Sequence, residues 1–538
     1  MAWYDEAVFY HIYPLGMTGA PKRNSYREPK HRLNMLLPWI SHIKEIGCNA
    51  IYIGPLFESV GHGYETTDYK KVDGRLGTNE ELINFVSECH KQGIRVVLDG
   101  VFNHTGCDFF AFQDLKRNLG NSKYKDWYCN VKIHGNRFSY DGWGGHGSLP
   151  KLNQKNPEVR DYMCDVIRFW VSEFDIDGIR LDAADVLEFD YMKALRRVAN
   201  EVKPNFWLMG EVVHGDYSRW ANKETLHSVT NYALHQALFS SHNEHNYFEI
   251  AHSLKYVGET VDCRKLYMFV DNHDVERIYT KLKNKAHFVP VHILLYTLPG
   301  IPSIYYGSEF GIEGKKEPHS DHSLRPALNY EDYMDAVQTN PYTKLIAALG
   351  KIRRNTPALC YGEYRELELQ NMYFAYERTW KGQSVIITVN NGDKSAPMKL
   401  ACGKTKEYVG ALTGKRVRVR SGRLQIEVPA NSGEIWIPTE FCTESFTSVK
   451  AVEIVRTSVP TKKTEEQKME PVKTQNKVEA EKVIVDWNKP YEDMSIEELQ
   501  EAILEKMRKN GPVTEYMLGT VRENVWHQSL ITWVKSFQ

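Results

Sequence analysis

Residues 177–185 read "DGIRLDAAD". An arginine and an aspartate, two residues apart, interrupt a run that otherwise reads as a buried strand. Residues two apart on a strand face the same side, so Arg180 and Asp182 share one face while Ile179 and Leu181 share the other. A cation and a carboxylate belong on the inner face of such a strand at the mouth of a parallel barrel, where the C-terminal strand ends gather.

The same device recurs along the chain. Short β-rich runs lie at "AVFYHIYP" (7–14), "NAIYIGP" (49–55), "IRVVLDGV" (94–101), "DGIRLDA" (177–183), "FWLMGEV" (206–212), "KLYMFVDN" (265–272) and "IPSIYYG" (301–307), and an eighth is placed in "SVTNYALHQ" (228–236). Helical stretches separate them, such as 79–93 and 156–174; in the second, Val159, Met163, Val166, Ile167 and Trp170 recur at helical spacing. Alternating strands and helices imply parallel pairing, and about eight units imply an α/β fold, a closed (β/α)8 TIM barrel. Residues 104–150, rich in aromatics, Gly and Asn, interrupt the third unit. The expected organisation is a barrel from 1–103 and 151–356, an inserted subdomain after strand 3 (104–150), an antiparallel β-sandwich (357–440), a charged linker (441–485) and a helical C-terminal extension (486–538). In that extension Ser495 and Glu498 form a capping-box pattern, with Ile496, Leu499, Ile503 and Met507 at helical spacing.

The 538 residues carry 68 basic and 69 acidic side chains, a formal net charge of −1. That balance gives no pull toward nucleic acid or an anionic membrane surface, and a neutral partner such as a sugar fits better. Nine scattered cysteines form no CxxC pair or other metal-ligand spacing and suit reduced thiols in a cytoplasm. The N-terminus has neither a basic nor a long apolar segment, so no signal peptide is expected, and no run approaches the length of a membrane span.

Several strand ends deliver charge to one rim. Asp99 closes the third strand and leads to Asn103 and His104; Glu211 closes "FWLMGE"; His273 and Asp274 follow "MFVDN". Clustered carboxylates serve metal binding or glycosyl transfer. A retaining glycosidase needs a carboxylate nucleophile and a carboxylic acid about 5–5.5 Å apart. Arg180 beside Asp182 is a device for keeping a nucleophile charged and aimed. Taken singly, each of these residues is more often a structural ion pair or hydrogen-bonding partner; their joint placement after predicted strands reverses those odds.

The segments "DGVFNH" (99–104), "GIRLDAADV" (178–186), "GEVV" (210–213) and "FVDNHD" (269–274) resemble, in order, the four signature regions of the α-amylase family, glycoside hydrolase family 13. "GYETTDY" (63–69), "LPKLN" (149–153) and "GIPSIYYGSE" (300–309) agree with it, and the resemblance covers about residues 5–440. It implies Asp182 as nucleophile, Glu211 as general acid/base and Asp274 as stabiliser of the distorted sugar. It also implies Arg180 orienting Asp182, His104 and His273 hydrogen-bonding the −1 sugar, Tyr64 stacking on it, and, by a looser match, Arg325 reaching it. Asp99 and Asn103 are expected to brace the site. Many members hold a structural calcium with the Asn of the first region and a Lys-His pair after the nucleophile. Here "AADV" follows Asp182, which leaves that calcium in doubt, so no cofactor and little calcium dependence are expected. "LPKLN" and "GEVVHGDYSRW" are similar to the neopullulanase, cyclomaltodextrinase and maltogenic amylase branch, whose N-terminal domain is not expected in a chain that starts almost at strand one.

Three readings follow. The first is a cytoplasmic hydrolase of α-1,4 bonds in maltodextrins or cyclodextrins. The second is a transglycosylase or α-1,6-active relative with the same triad. The third is a sugar-binding protein without catalysis, which the presence of all three carboxylates disfavours. The extension is read either as a helical hairpin packed on the barrel or as a module for homo-oligomerisation.

Overall fold

The computed structural model describes residues 2–317, 320–442, 489–510 and 534. The chain divides into two compact units, 1–461 and 462–538. In the first, eight parallel strands run β1 (Phe9–Ile12), β2 (Ala50–Ile53), β3 (Arg95–Gly100), β4 (Gly178–Leu181), β5 (Trp207–Gly210), β6 (Ser228–Val229), β7 (Tyr267–Met268) and β8 (Ile301–Tyr305). Their spatial order is β6-β5-β4-β3-β2-β1-β8-β7, and a parallel bridge from Thr230 to Tyr267 closes the ring. This is the expected (β/α)8 barrel. The expected strand over 228–236 is only two residues long, because the Asn231 side chain accepts from the Leu234 amide and caps a helix over Tyr232–Asn243.

Register explains the polar strand ends. Phe9 pairs with Ala50, Tyr52 with Val97, Asp99 with Arg180 and Arg180 with Met209. Phe9, Ala50, Val97, Trp207 and Tyr267 fill the lower interior with apolar groups. One step up each strand, His11, Tyr52, Asp99 and Arg180 form a buried polar layer. A one-residue slip in any strand would send these groups to the outer face.

After β3 the chain departs through a helix (Phe110–Asn118) and a hairpin (Lys132–His134, Arg137–Ser139) before Asn156 caps the helix Pro157–Phe174. Beyond residue 362, six antiparallel strands pack against the pair Ala396–Ala401 and Arg423–Val428 over Ile386, Met398, Leu424 and Trp436. This is the expected sandwich.

In the second unit a helix spans Ile496–Asn510. The Ser495 amide donates to Glu498 at 2.6 Å and the Glu498 amide to the Ser495 hydroxyl at 3.2 Å, the reciprocal bonds of a capping box. Leu499 and Ile503 are buried. The charged linker, apart from its first two residues, and nearly all of the chain after Asn510 lie outside the described residues.

Candidate active site

Arg180 is the hub. Its Nη1 donates to Asp99 at 2.9 Å and to Asp182 at 3.0 Å, and its Nη2 meets Glu211 at 2.9 Å. One guanidinium thus holds three carboxylates from β3, β4 and the end of β5. The cation is buried, and its neighbours satisfy it in the geometry that suits its fork. Burial pushes the Asp182 carboxyl well above the ordinary aspartate value of 3.8; Arg180 opposes this, and the charges of Glu211 and Asp99 add to it. Asp182 and Glu211 hang on one guanidinium.

Ala183, directly after Asp182, adopts φ +46 and ψ 44, an uncommon left-handed conformation for a residue with a side chain. That turn carries its amide to Glu211, to which it donates at 3.1 Å. On the other carboxyl oxygen Glu211 receives the Tyr232 hydroxyl at 3.5 Å.

Asp274 belongs to a second cluster, with His273 and Arg325. Its Oδ1 accepts from Arg325 at 2.8 Å and its Oδ2 lies 3.0 Å from the His273 ring. About a third of its side chain meets solvent, more than for Asp182 or Glu211. The protein packed around it still opposes ionisation, but His273 and Arg325 overcome that and hold its carboxyl well below the usual range. The His273 ring lies stacked between Tyr13 and Tyr64, at 5.8 and 5.7 Å between centroids. Tyr64 links the two clusters: its hydroxyl is 2.5 Å from His273 and donates to Asp99 at 3.3 Å. Its loop is held close because a Cβ on Gly106 would lie 2.4 Å from the Glu65 carbonyl, while the Gly106 amide donates to Thr66 at 2.7 Å.

All eight residues singled out from the sequence therefore fall in one network, joined through Asp99. They do not all face a substrate in the same way. His104 is fully buried, and both of its ring nitrogens are engaged, one by the Tyr64 carbonyl at 3.1 Å and the other by Asn103 at 3.2 Å. His273 is buried between two rings, and Arg325 spends its donors on Asp274, Asp321 and the His273 carbonyl. These three contact Tyr64 or Asp274. Sequence reasoning missed Tyr13, Tyr232 and Gln154. Tyr13 follows β1 and falls under the same strand-end rule; nothing in the local sequence singles out the other two.

A calcium ion does not suit the donors around Asn103. Its side-chain carbonyl accepts from Gln154 at 3.1 Å, and among the described residues no carboxylate is hydrogen-bonded to it. Among the described residues no group of three His, Cys, Asp or Glu side chains is arranged to hold a metal. No helix among them is long and apolar enough to cross a membrane.

Residues 34–344 match the family described as "Alpha amylase, catalytic domain", and residues 362–436 match "Alpha-amylase C-terminal domain". The chain is 32% identical over 449 residues to a cyclomaltodextrinase of Thermoanaerobacter pseudethanolicus, covering 78% of this chain and 76% of the relative. It is 30% identical over 462 residues to a maltogenic α-amylase of Bacillus acidopullulyticus, covering 80% and 77%. Among solved structures, the debranching enzyme from Nostoc punctiforme superposes with a TM-score of 0.69 at 27% identity, over 81% of this chain and 98% of that one. With the barrel, the sandwich and the carboxylate network in place, the chain belongs to the α-amylase family of glycoside hydrolases.

Proposed function

We propose that this hydrolase cleaves α-1,4-glucosidic bonds in short α-glucans, maltodextrins and cyclodextrins, with retention of configuration. The observation that carries the reading is the shared guanidinium, which holds Asp182 and Glu211 together, in one bonded network with Asp274 through Asp99, Tyr64 and His273. Asp182 attacks C1 as Glu211 gives its proton to the glycosidic oxygen; the C1–O bond breaks and a β-glucosyl ester forms on Asp182. Glu211, now a carboxylate, takes a proton from water as that water attacks C1 and releases Asp182. Asp274, held ionised by His273 and Arg325, accepts hydroxyl hydrogens of the distorted ring and offsets its developing positive charge. The part-exposed Tyr64 ring supplies an apolar face for the sugar.

Product analysis on maltoheptaose, β-cyclodextrin, pullulan and panose tests the substrate class. Proton NMR of the first product tests the mechanism: the α-anomer is expected, and an initial β-anomer would mean inversion.

The pH profile follows from the burial of Asp182. The nucleophile must be ionised, and its carboxyl lies well above 3.8, so kcat/KM is expected to fall as pH drops through that raised value. An acid limb at or below the ordinary aspartate value would count against Asp182. The nine cysteines, none in a disulfide, support action in a reducing cytoplasm.

A further inference from the structure

Gln154 lies just past "LPKLN", is buried, and makes two hydrogen bonds in opposite senses. Its Nε2 donates to Asn103 Oδ1 at 3.1 Å, and its Oε1 accepts from the Glu188 amide at 2.7 Å. Asn103 Nδ2 faces His104 Nδ1 at 3.2 Å, and His104 Nε2 faces the Tyr64 carbonyl at 3.1 Å. The Glu188 backbone amide at one end of this chain can only donate, and the Tyr64 carbonyl at the other can only accept. Only one assignment then satisfies every atom. The Glu188 amide donates to Gln154, Gln154 to Asn103, Asn103 to His104, and His104 to the Tyr64 carbonyl. Glu188 is also the N-cap residue of the helix Phe189–Val202.

We infer that Gln154 is a positioning residue for the catalytic site, its amide fastening the Asn103–His104 segment and the Tyr64 loop to the helix after β4 where a bound cation would otherwise tie them. The inference rests on the reading that this site is catalytic. It goes beyond the poor fit of the Asn103 donors to calcium by naming a side chain that ties the same segments. A primary amide offers one N–H donor and one C=O acceptor from the same carbon. An ionised carboxylate there would turn a second acceptor on Asn103 Oδ1, and a thioether would satisfy neither partner, leaving buried groups unpaired. A protonated carboxyl reproduces the amide, with O–H toward Asn103 and C=O toward the Glu188 amide.

The test compares kcat/KM on maltoheptaose for wild type, Gln154→Met and Gln154→Glu across pH, each with added calcium and with chelator, alongside melting temperature. The ionisable groups nearest the site are His104, Glu188 and its ion-pair partner Lys155. Wild-type activity and melting temperature are expected to ignore calcium and chelator. Gln154→Met is expected to lose about ten- to hundredfold at every pH, since small misplacements of a catalytic constellation cost that much. Gln154→Glu is expected to approach wild type at low pH and to fall to the methionine level as its carboxyl ionises. A Gln154→Glu to wild-type ratio flat with pH overturns the inference, as does a large drop in wild-type melting temperature with chelator. Should Gln154→Met fail to fold, the Gln154→Glu ratio decides alone. A wild type inactive on every glucan would sink the earlier reading; an active wild type with a flat ratio sinks only this one.

Discussion

Asp182→Asn is expected to leave a folded protein that turns glucans over at least about 10⁴-fold more slowly. The amide keeps an oxygen where Asp182 Oδ1 accepts from Arg180 at 3.0 Å, and the backbone bond from the Asp182 amide to Gly100 is untouched. The substitution also removes one negative charge from a cluster in which a single guanidinium faces three carboxylates, so the native state loses no net attraction. What disappears is the anion that forms the ester. A carboxamide oxygen is too weak a nucleophile to replace it, and no other carboxylate pairs with Arg180 from the end of β4. The measurement is kcat on maltoheptaose beside a thermal unfolding curve. Near-native turnover would remove Asp182 from the nucleophile role, and loss of folding would mean that it is chiefly a structural ion-pair partner.

Glu211→Gln separates two steps. Glutamine can still face Arg180 and the Ala183 amide, but it has no proton to give the leaving group. For maltodextrins, whose leaving group is a sugar alkoxide, the loss is expected to be roughly 10²–10⁴-fold. An aryl α-glucoside with an acidic phenol needs no such help, so its first step should survive and the glycosyl ester should build up, seen as a burst of phenol followed by slow turnover. An equal loss for sugar and phenol leaving groups would show that Glu211 does not act as the acid.

The barrel was legible because its strands are apolar runs separated by periodic helices, and because several of them end in a charged residue. Arg180 and Asp182 could be put on one face by period alone. The pairing of Asp99 with Arg180 could not, since it depends on register between strands about 80 residues apart. β6 was hard to see because two residues carry no alternation, and the Asn231 cap hides inside a mixed run. Loop contacts escaped as a class. Gln154 reaches the site from a turn that no periodicity constrains, and Tyr232 from the first position of a helix whose start the mixed run hides. Roles blurred for the same reason: His104 stands in a signature segment, yet whether a ring nitrogen faces a sugar or a backbone carbonyl depends on the fold of a different loop.

Closure of the ring has a consequence for the birth of the molecule. Phe9 of β1 pairs with Ser303 of β8, so the first barrel strand waits for a neighbour about 300 residues downstream. At roughly 5–20 residues per second of synthesis, that strand's free edge stands open for some 15–60 s before its partner leaves the ribosome. Throughout that interval the growing sheet offers unpaired backbone and the apolar face of Phe9 to any other nascent chain. Arg325 emerges later still, so Asp274 gains this counter-charge only after every barrel strand has been made. A half-made barrel therefore exposes an adhesive edge before it is active.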